Sequence, residues 1–156
     1  MKVVFLDIDG VLTTVTWKGY QEFNPICTGL LKSFLEASGY KIVISSTWRW
    51  EGINNESPLD VQLDKYDLKK YLVEDWRTLR LTAQRGVEIK DWLMRHPEVD
   101  HYLILDDDCD MLEEQKDNFI QTSPMNGLLF EHWEELKKKA GIGQIIITLP
   151  NITSVS

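Results

Sequence analysis

Three clusters of polar residues in this sequence could do chemistry together. Asp7, Asp9 and Gly10 follow an apolar run at 2–6. Ser45, Ser46 and Thr47 close a second run at 41–45. Asp106, Asp107, Asp108 and Asp110 follow a third at 101–105. Carboxylates at the ends of apolar strands are costly unless they are paired, hydrogen-bonded or bound to a metal. Six of them in two clusters call for a cation. Oxygen ligands with no His or Cys beside them suit Mg²⁺ better than zinc. One Asp-x-Asp pair alone carries little weight, because solvated turns and helix caps use the same residues. The coincidence at three run ends carries more.

The clusters meet only if the runs are neighbouring strands of one sheet. Residues 2–6 (KVVFL) and 41–45 (KIVIS) are short, apolar and rich in β-branched side chains, as buried strands are. Between them, Asn24-Pro25 is a helix start, with Asn as cap and Pro in the first turn. Ile26, Leu30, Leu31, Phe34 and Leu35 recur at helical spacing, and Gly39 stops the helix. Strand, helix and strand make a βαβ unit. Residues 101–105 (HYLIL) predict a third strand, 118–121 a fourth and 144–149 a last one. Residues 84–95 read as a helix with Ile89, Trp92 and Leu93 inward. Residues 129–139 read as another, with Phe130, Trp133 and Leu136 inward and Gly141 as its stop. A short helix is expected near 110–116, with Asp110 as its cap. Residues 11–23 form a loop or small hairpin turning at Lys18-Gly19. Residues 59–76 predict one or two short helices. The pattern implies an α/β fold: a three-layer α/β/α sandwich around a mostly parallel sheet. Sites in such folds lie at the carboxyl ends of the strands.

The 156 residues fit a single domain over 1–156, with a small specificity insert at 47–83. The net charge is −8, from 17 basic and 25 acidic residues. The excess lies in residues 96–156, which hold four basic and twelve acidic side chains. This excludes a broad basic face for polyanions. No run approaches the roughly 18 apolar residues of a membrane span, and the N-terminus lacks the pattern of a signal peptide. Cys27 and Cys109 make no disulfide framework, so a reducing, cytoplasmic setting is expected and each cysteine is read as a small buried residue. His96, His101 and His132 lack ligand spacing and are read as structural. Lys137, Lys138 and Lys139 are read as a solvated helix end.

The motifs resemble a known group. FLDIDGV is similar to the first motif of the haloacid dehalogenase (HAD) superfamily of phosphohydrolases, IVISST to its second and LILDDDCD to its fourth. The third is a lone Lys or Arg at the start of the helix before the fourth-motif strand, where Arg85 stands; Arg80 and Arg77 are rivals. The wider pattern of SSTWR, RGVEI and a late GLL is similar to a HAD subgroup associated with RNA-repair proteins, and to the phosphatase half of polynucleotide kinase-phosphatases. The resemblance implies a Rossmann-like fold with a minimal cap and an Mg²⁺-dependent phosphatase. Asp7 would be the nucleophile, forming an aspartyl-phosphate. Asp9 would be the general acid and then the base, and would also offer its backbone carbonyl to the metal. Ser46 or Ser45 would hold the transferring phosphoryl, the register between them being open. Arg85 would neutralise its charge. Asp106 and Asp107 would hold Mg²⁺ with Asp7 and Asp9.

Residues 11–23 are too short for a cap domain, which favours open access and extended substrates. Trp48, Arg49, Trp50, Tyr66, Tyr71, Trp76, Arg77 and Arg80 interleave aromatic and cationic groups, as a nucleic-acid end would want. Trp48 and Trp76 serve equally as core. The expected partner is a phosphorylated substrate, either a nucleic-acid end or nucleotide or a small non-nucleotide ester, with no membrane. A non-catalytic metal-binding module is a further alternative, against which the intact Asp7/Asp9 pair argues. A CheY-like receiver fits the Asp-x-Asp-Gly order poorly.

Overall fold

The computed structural model describes residues 1–51 and 57–142. The expected strand at 144–149 lies outside them. Five strands form one sheet in the order β3-β2-β1-β4-β5: β1 Lys2–Leu6, β2 Lys41–Ile44, β3 Leu72–Arg77, β4 His101–Asp106 and β5 Phe119–Gln121. Every pairing between them is parallel. The helices are α1 Pro25–Ser38, α2 Pro58–Lys65, α3 Arg85–Met94 and α4 Phe130–Lys139.

Alternation along the strands divides the core into two layers. Val4 and Leu6 of β1 face a cluster with Leu31, Phe34 and Leu35 of α1, Leu59 and Leu63 of α2, and Leu136 of α4. Val3 and Phe5 face Ile89 and Trp92 of α3. Phe5 meets the Trp92 ring edge-on, with centroids 5.3 Å apart. The result is the expected α/β/α sandwich. Burying one large aliphatic or aromatic side chain contributes about 1.5–3 kcal/mol, so the two layers clamp the central strands firmly. β1 and β4, whose ends carry the acids, lie side by side in the middle of the sheet.

The local signals acted largely as their chemistry requires. The Asn24 carboxamide accepts from the N–H groups of Ile26 (2.9 Å) and Cys27 (3.4 Å), and Gly39 turns α1 off at φ 74°. Two inner-face assignments are corrected. Ile26 is 71% exposed, and Cys27 and Thr28 take the buried face of the first turn. Phe130 is 63% exposed, while Leu136 is buried. Lys137 is buried with its ammonium 3.8 Å from the Trp133 ring centroid, so it is no part of a solvated end. Cys109 is exposed, contrary to its reading as a buried residue. The stretch 59–76 includes a strand, β3, as well as α2. β3 lies at the sheet edge with its charged side chains half or fully exposed, which hides the apolar run of a strand. Residues 11–23 hold a short 3₁₀ turn at Lys18–Tyr20 and a bridge from Thr14 to Trp17.

Candidate active site

The sheet's hydrogen-bond ladder runs one residue past its strands, and that residue is polar each time. The Asp7 N–H donates to Leu105 O, the Ser45 N–H to Leu6 O, the Thr78 N–H to Ile44 O and the Thr122 N–H to Asp106 O. Backbone pairing therefore fixes Asp7 beside both Ser45 and Asp106. All of these residues sit at the carboxyl edge of the sheet, the edge expected for a site.

One carboxylate oxygen each from Asp7, Asp106 and Asp107 lies within 4.8 Å of the others. Asp7 and Asp106 are buried and Asp107 half-buried. Burial, then the charge of Asp106, pushes the Asp7 carboxyl up to about 9, against an attraction from Arg85. Burial raises Asp106 to about 6, opposed by the Asp108 N–H and by Arg85. Crowded, dehydrated carboxylates of this kind favour protonation unless a cation replaces the protons. Gly10 lets the acids come this close. Its φ is +79°, and a Cβ there would overlap the Asp107 carboxylate.

Asp9 stands apart from this trio. Its Oδ1 accepts from the Thr13 hydroxyl at 2.8 Å and from the Trp48 indole N–H at 3.0 Å, so its orientation is fixed. The two serines differ. Ser46 Oγ accepts from the Trp48 N–H at 3.3 Å, whereas the buried Ser45 Oγ has no hydrogen-bond partner among the described residues.

Arg85 opens α3 and reaches the acids, with its Nε 3.6 Å from Asp106 Oδ2. Its N–H donates to Asp110 Oδ2 at 2.8 Å. Asp110 does cap a helix, but the helix is α3. The 3₁₀ turn Glu113–Asn118 that stands nearest to the expected helix begins after Leu112. Arg77 lies in β3 and donates to Arg49 O at 2.9 Å. Of these two rivals of Arg85, Arg80 lines the site cavity and Arg77 does not.

Behind Arg85 lies a buried ion pair that the sequence reading did not single out. Arg49 donates from Nη2 to Glu88 Oε1 at 3.1 Å and from Nη1 to Ser46 O at 2.8 Å. Its Nε has no partner among the described residues. Burial and then the Arg85 charge push the Arg49 guanidinium below its ordinary value. Glu88 also accepts the Leu81 N–H at 2.8 Å and lies 4.0 Å from Arg85 Nη1. No local spacing signals a pair 39 positions apart. Arg49 was expected among the cationic groups facing a nucleic-acid end, but it is buried against Glu88, a residue that only the RGVEI string touches.

A cavity of about 500 Å³ opens over these groups. Asp7, Asp106, Asp107, Asp108, Asp110 and Glu88 line it together with Arg49, Arg80, Arg85 and Trp50. Asp9, Ser45 and Ser46 do not line it. An acid cluster beside guanidinium groups can hold a cation and an anion together.

The family of HAD domains in Swiss Army Knife RNA repair proteins matches residues 3–133. The chain belongs to that family. The match spans all the motifs above, and it supports a HAD-type phosphatase in general terms. No curated protein and no solved structure matches the chain. No described helix is long and apolar enough to cross a membrane.

Proposed function

We propose that this chain hydrolyses phosphate monoesters with Mg²⁺ and a transient aspartyl-phosphate, and that its substrates are nucleic-acid ends or nucleotides. The observation that carries the reading is the trio of carboxylate oxygens within 4.8 Å of one another, next to Arg85 in one cavity. The donor set suits a hard divalent cation, because every group is a carboxylate and two are buried. Asp7, Asp106 and Asp107 would hold the ion. Bound there, Mg²⁺ weakens the repulsion between Asp7 and an anionic phosphoryl group.

The chain's own residues divide the remaining work. The Asp7 carboxylate attacks phosphorus, and the bond to the ester oxygen breaks. Asp9 is not among the residues that line the cavity; by the family resemblance it takes the general-acid role and, held by Thr13 and Trp48, delivers a proton to the departing oxygen. Asp9 then takes a proton from water, the water oxygen attacks phosphorus, and inorganic phosphate leaves a free Asp7. Arg85 offsets charge on the phosphoryl oxygens. Ser45 or Ser46 donates to them: Ser46 Oγ accepts from the Trp48 N–H and keeps its own hydroxyl hydrogen, and Ser45 Oγ has no partner among the described residues. The family's description as RNA repair proteins supports the nucleic-acid substrate class.

The test is hydrolysis of an aryl phosphate by wild type and Asp7→Asn, with Mg²⁺ or with EDTA. Activity is expected only for wild type with the metal. Activity that survives EDTA or Asp7→Asn sinks the mechanism. A panel of 3′- and 5′-phosphorylated oligonucleotides, mononucleotides and sugar phosphates then reads the substrate class. A flat response across the oligonucleotides removes the nucleic-acid reading.

A further inference from the structure

The cavity over Asp7 is larger than a phosphoryl group and an ion require, and its volume lies in the range of pockets that hold whole small molecules. Trp50 is the single aromatic residue among the described residues that line it. The indole is 42% exposed, in a wall otherwise made of charged and small polar groups and one alanine. A lone exposed tryptophan is ordinary on a protein surface. Its position here, in the same cavity as the nucleophile, gives it significance.

The support of the indole is rigid. The Arg49 guanidinium carbon lies 4.3 Å from the ring centroid. That guanidinium is itself tied to Ser46 O and Glu88. The backbone beneath is pinned as well, since Arg77 donates to Arg49 O. Arg80 is exposed, and its guanidinium carbon lies 5.8 Å from the same centroid. A flat π surface held by the Arg49 guanidinium, with the exposed Arg80 also in contact with it, is suited to a ring that carries its own phosphate neighbour. An aromatic platform stacks any base, and an adjacent Arg adds attraction for the backbone.

We infer that Trp50 is a specificity residue: it stacks the base of the nucleotide whose phosphate enters the Asp7 site, with Arg80 facing the adjoining phosphodiester. This inference rests on the nucleic-acid reading above and adds to it where the leaving group lies.

A binding measurement tests it without depending on turnover. The Asp7→Asn protein and its Asp7→Asn/Trp50→Ala and Asp7→Asn/Trp50→Phe derivatives are titrated with two short 3′-phosphorylated oligonucleotides. One has a normal terminal nucleotide and the other an abasic one. Trp50→Ala is expected to weaken binding of the normal oligonucleotide about tenfold, and of the abasic one less than about twofold. Trp50→Phe should restore most of the difference. Equal losses for both oligonucleotides, or no loss for either, overturn the platform. If the parent binds neither oligonucleotide but wild type still hydrolyses sugar phosphates, the nucleic-acid reading fails and the platform fails with it. If the parent prefers the base-bearing oligonucleotide and Trp50→Ala keeps that preference, the substrate class stands and only the role of Trp50 is refuted.

Discussion

Replacing Glu88 with alanine strips a buried guanidinium of its counter-ion. Arg49 is 2% exposed and Glu88 3%. After the change Arg49 keeps one hydrogen bond, to Ser46 O, and its Nε remains unpaired. Breaking a buried pair in this way costs about 3–5 kcal/mol. The Leu81 N–H also loses its acceptor, but Leu81 is exposed and water can replace it at little cost. The total therefore stays at about 3–5 kcal/mol, which for a chain of this size lowers Tm by roughly 6–20 °C. Urea unfolding at constant m-value is the direct assay. Glu88→Gln keeps an acceptor and should cost less, about 1–3 kcal/mol. The double change Arg49→Met/Glu88→Leu removes both charges and should recover much of the loss, because uncompensated charge rather than the missing pair is the main penalty. The reasoning is refuted if Glu88→Ala unfolds within about 1 kcal/mol of wild type, or if the double variant is no more stable than the single one.

Metal-free protein should lose stability as pH rises from about 4 through about 9. Asp7, raised to about 9, and Asp106, raised to about 6, hold protons in the folded state that the unfolded chain, with carboxyls near 3.8, has released. Mg²⁺ bound as proposed would replace those protons, so the gain in Tm on adding it should grow with pH; thermal scans with Mg²⁺ or EDTA across that range check this, and a gain independent of pH counts against it. Gly10→Ala should weaken Mg²⁺ binding by about 10–100-fold in calorimetry, since the new Cβ must displace Asp107. Trp48→Phe removes the indole N–H from Asp9 and should lower kcat/KM about tenfold or more, with a much smaller effect on Tm; steady-state kinetics that match wild type would show that the bond does not orient Asp9.

The central elements were legible because each carries a local signal. β1, β2 and β4 are short apolar runs closed by polar residues. α1 has both its Asn24 cap and its Gly39 stop. The edge strand was not legible, since LVEDWR lines no buried face on both sides and its acids resemble those of an exposed helix. In the site, the clustering of Asp7 with Asp106 and Asp107 follows from motif order and the strand-end rule. What sequence could not give is pairing across the sheet. Glu88 meets Arg49, Trp48 meets Asp9, and Asp110 caps α3 rather than the turn that follows it. Each contact joins segments that only the tertiary fold brings together. Ser45 and Ser46 are likewise not distinguished by sequence, and in the structure their hydroxyls differ in that Ser46 Oγ accepts the Trp48 N–H while Ser45 Oγ has no partner among the described residues.

The bond from the Asp7 N–H to Leu105 O has a consequence for how the chain is made. Asp7 is synthesised well before its neighbours in the acid cluster, which belong to β4 and the residue after it. A nascent chain that ends before β4 has the aspartate but no site for an ion. On the proposed reading, cation binding would be a late event, contingent on closing a long-range parallel contact of the kind that slows folding. Before that closure a divalent ion would gain little from the chain, and afterwards its binding would stabilise the paired β1 and β4. Ion-dependent protection of β1 and β4 in hydrogen exchange would report that a newly made molecule has finished folding.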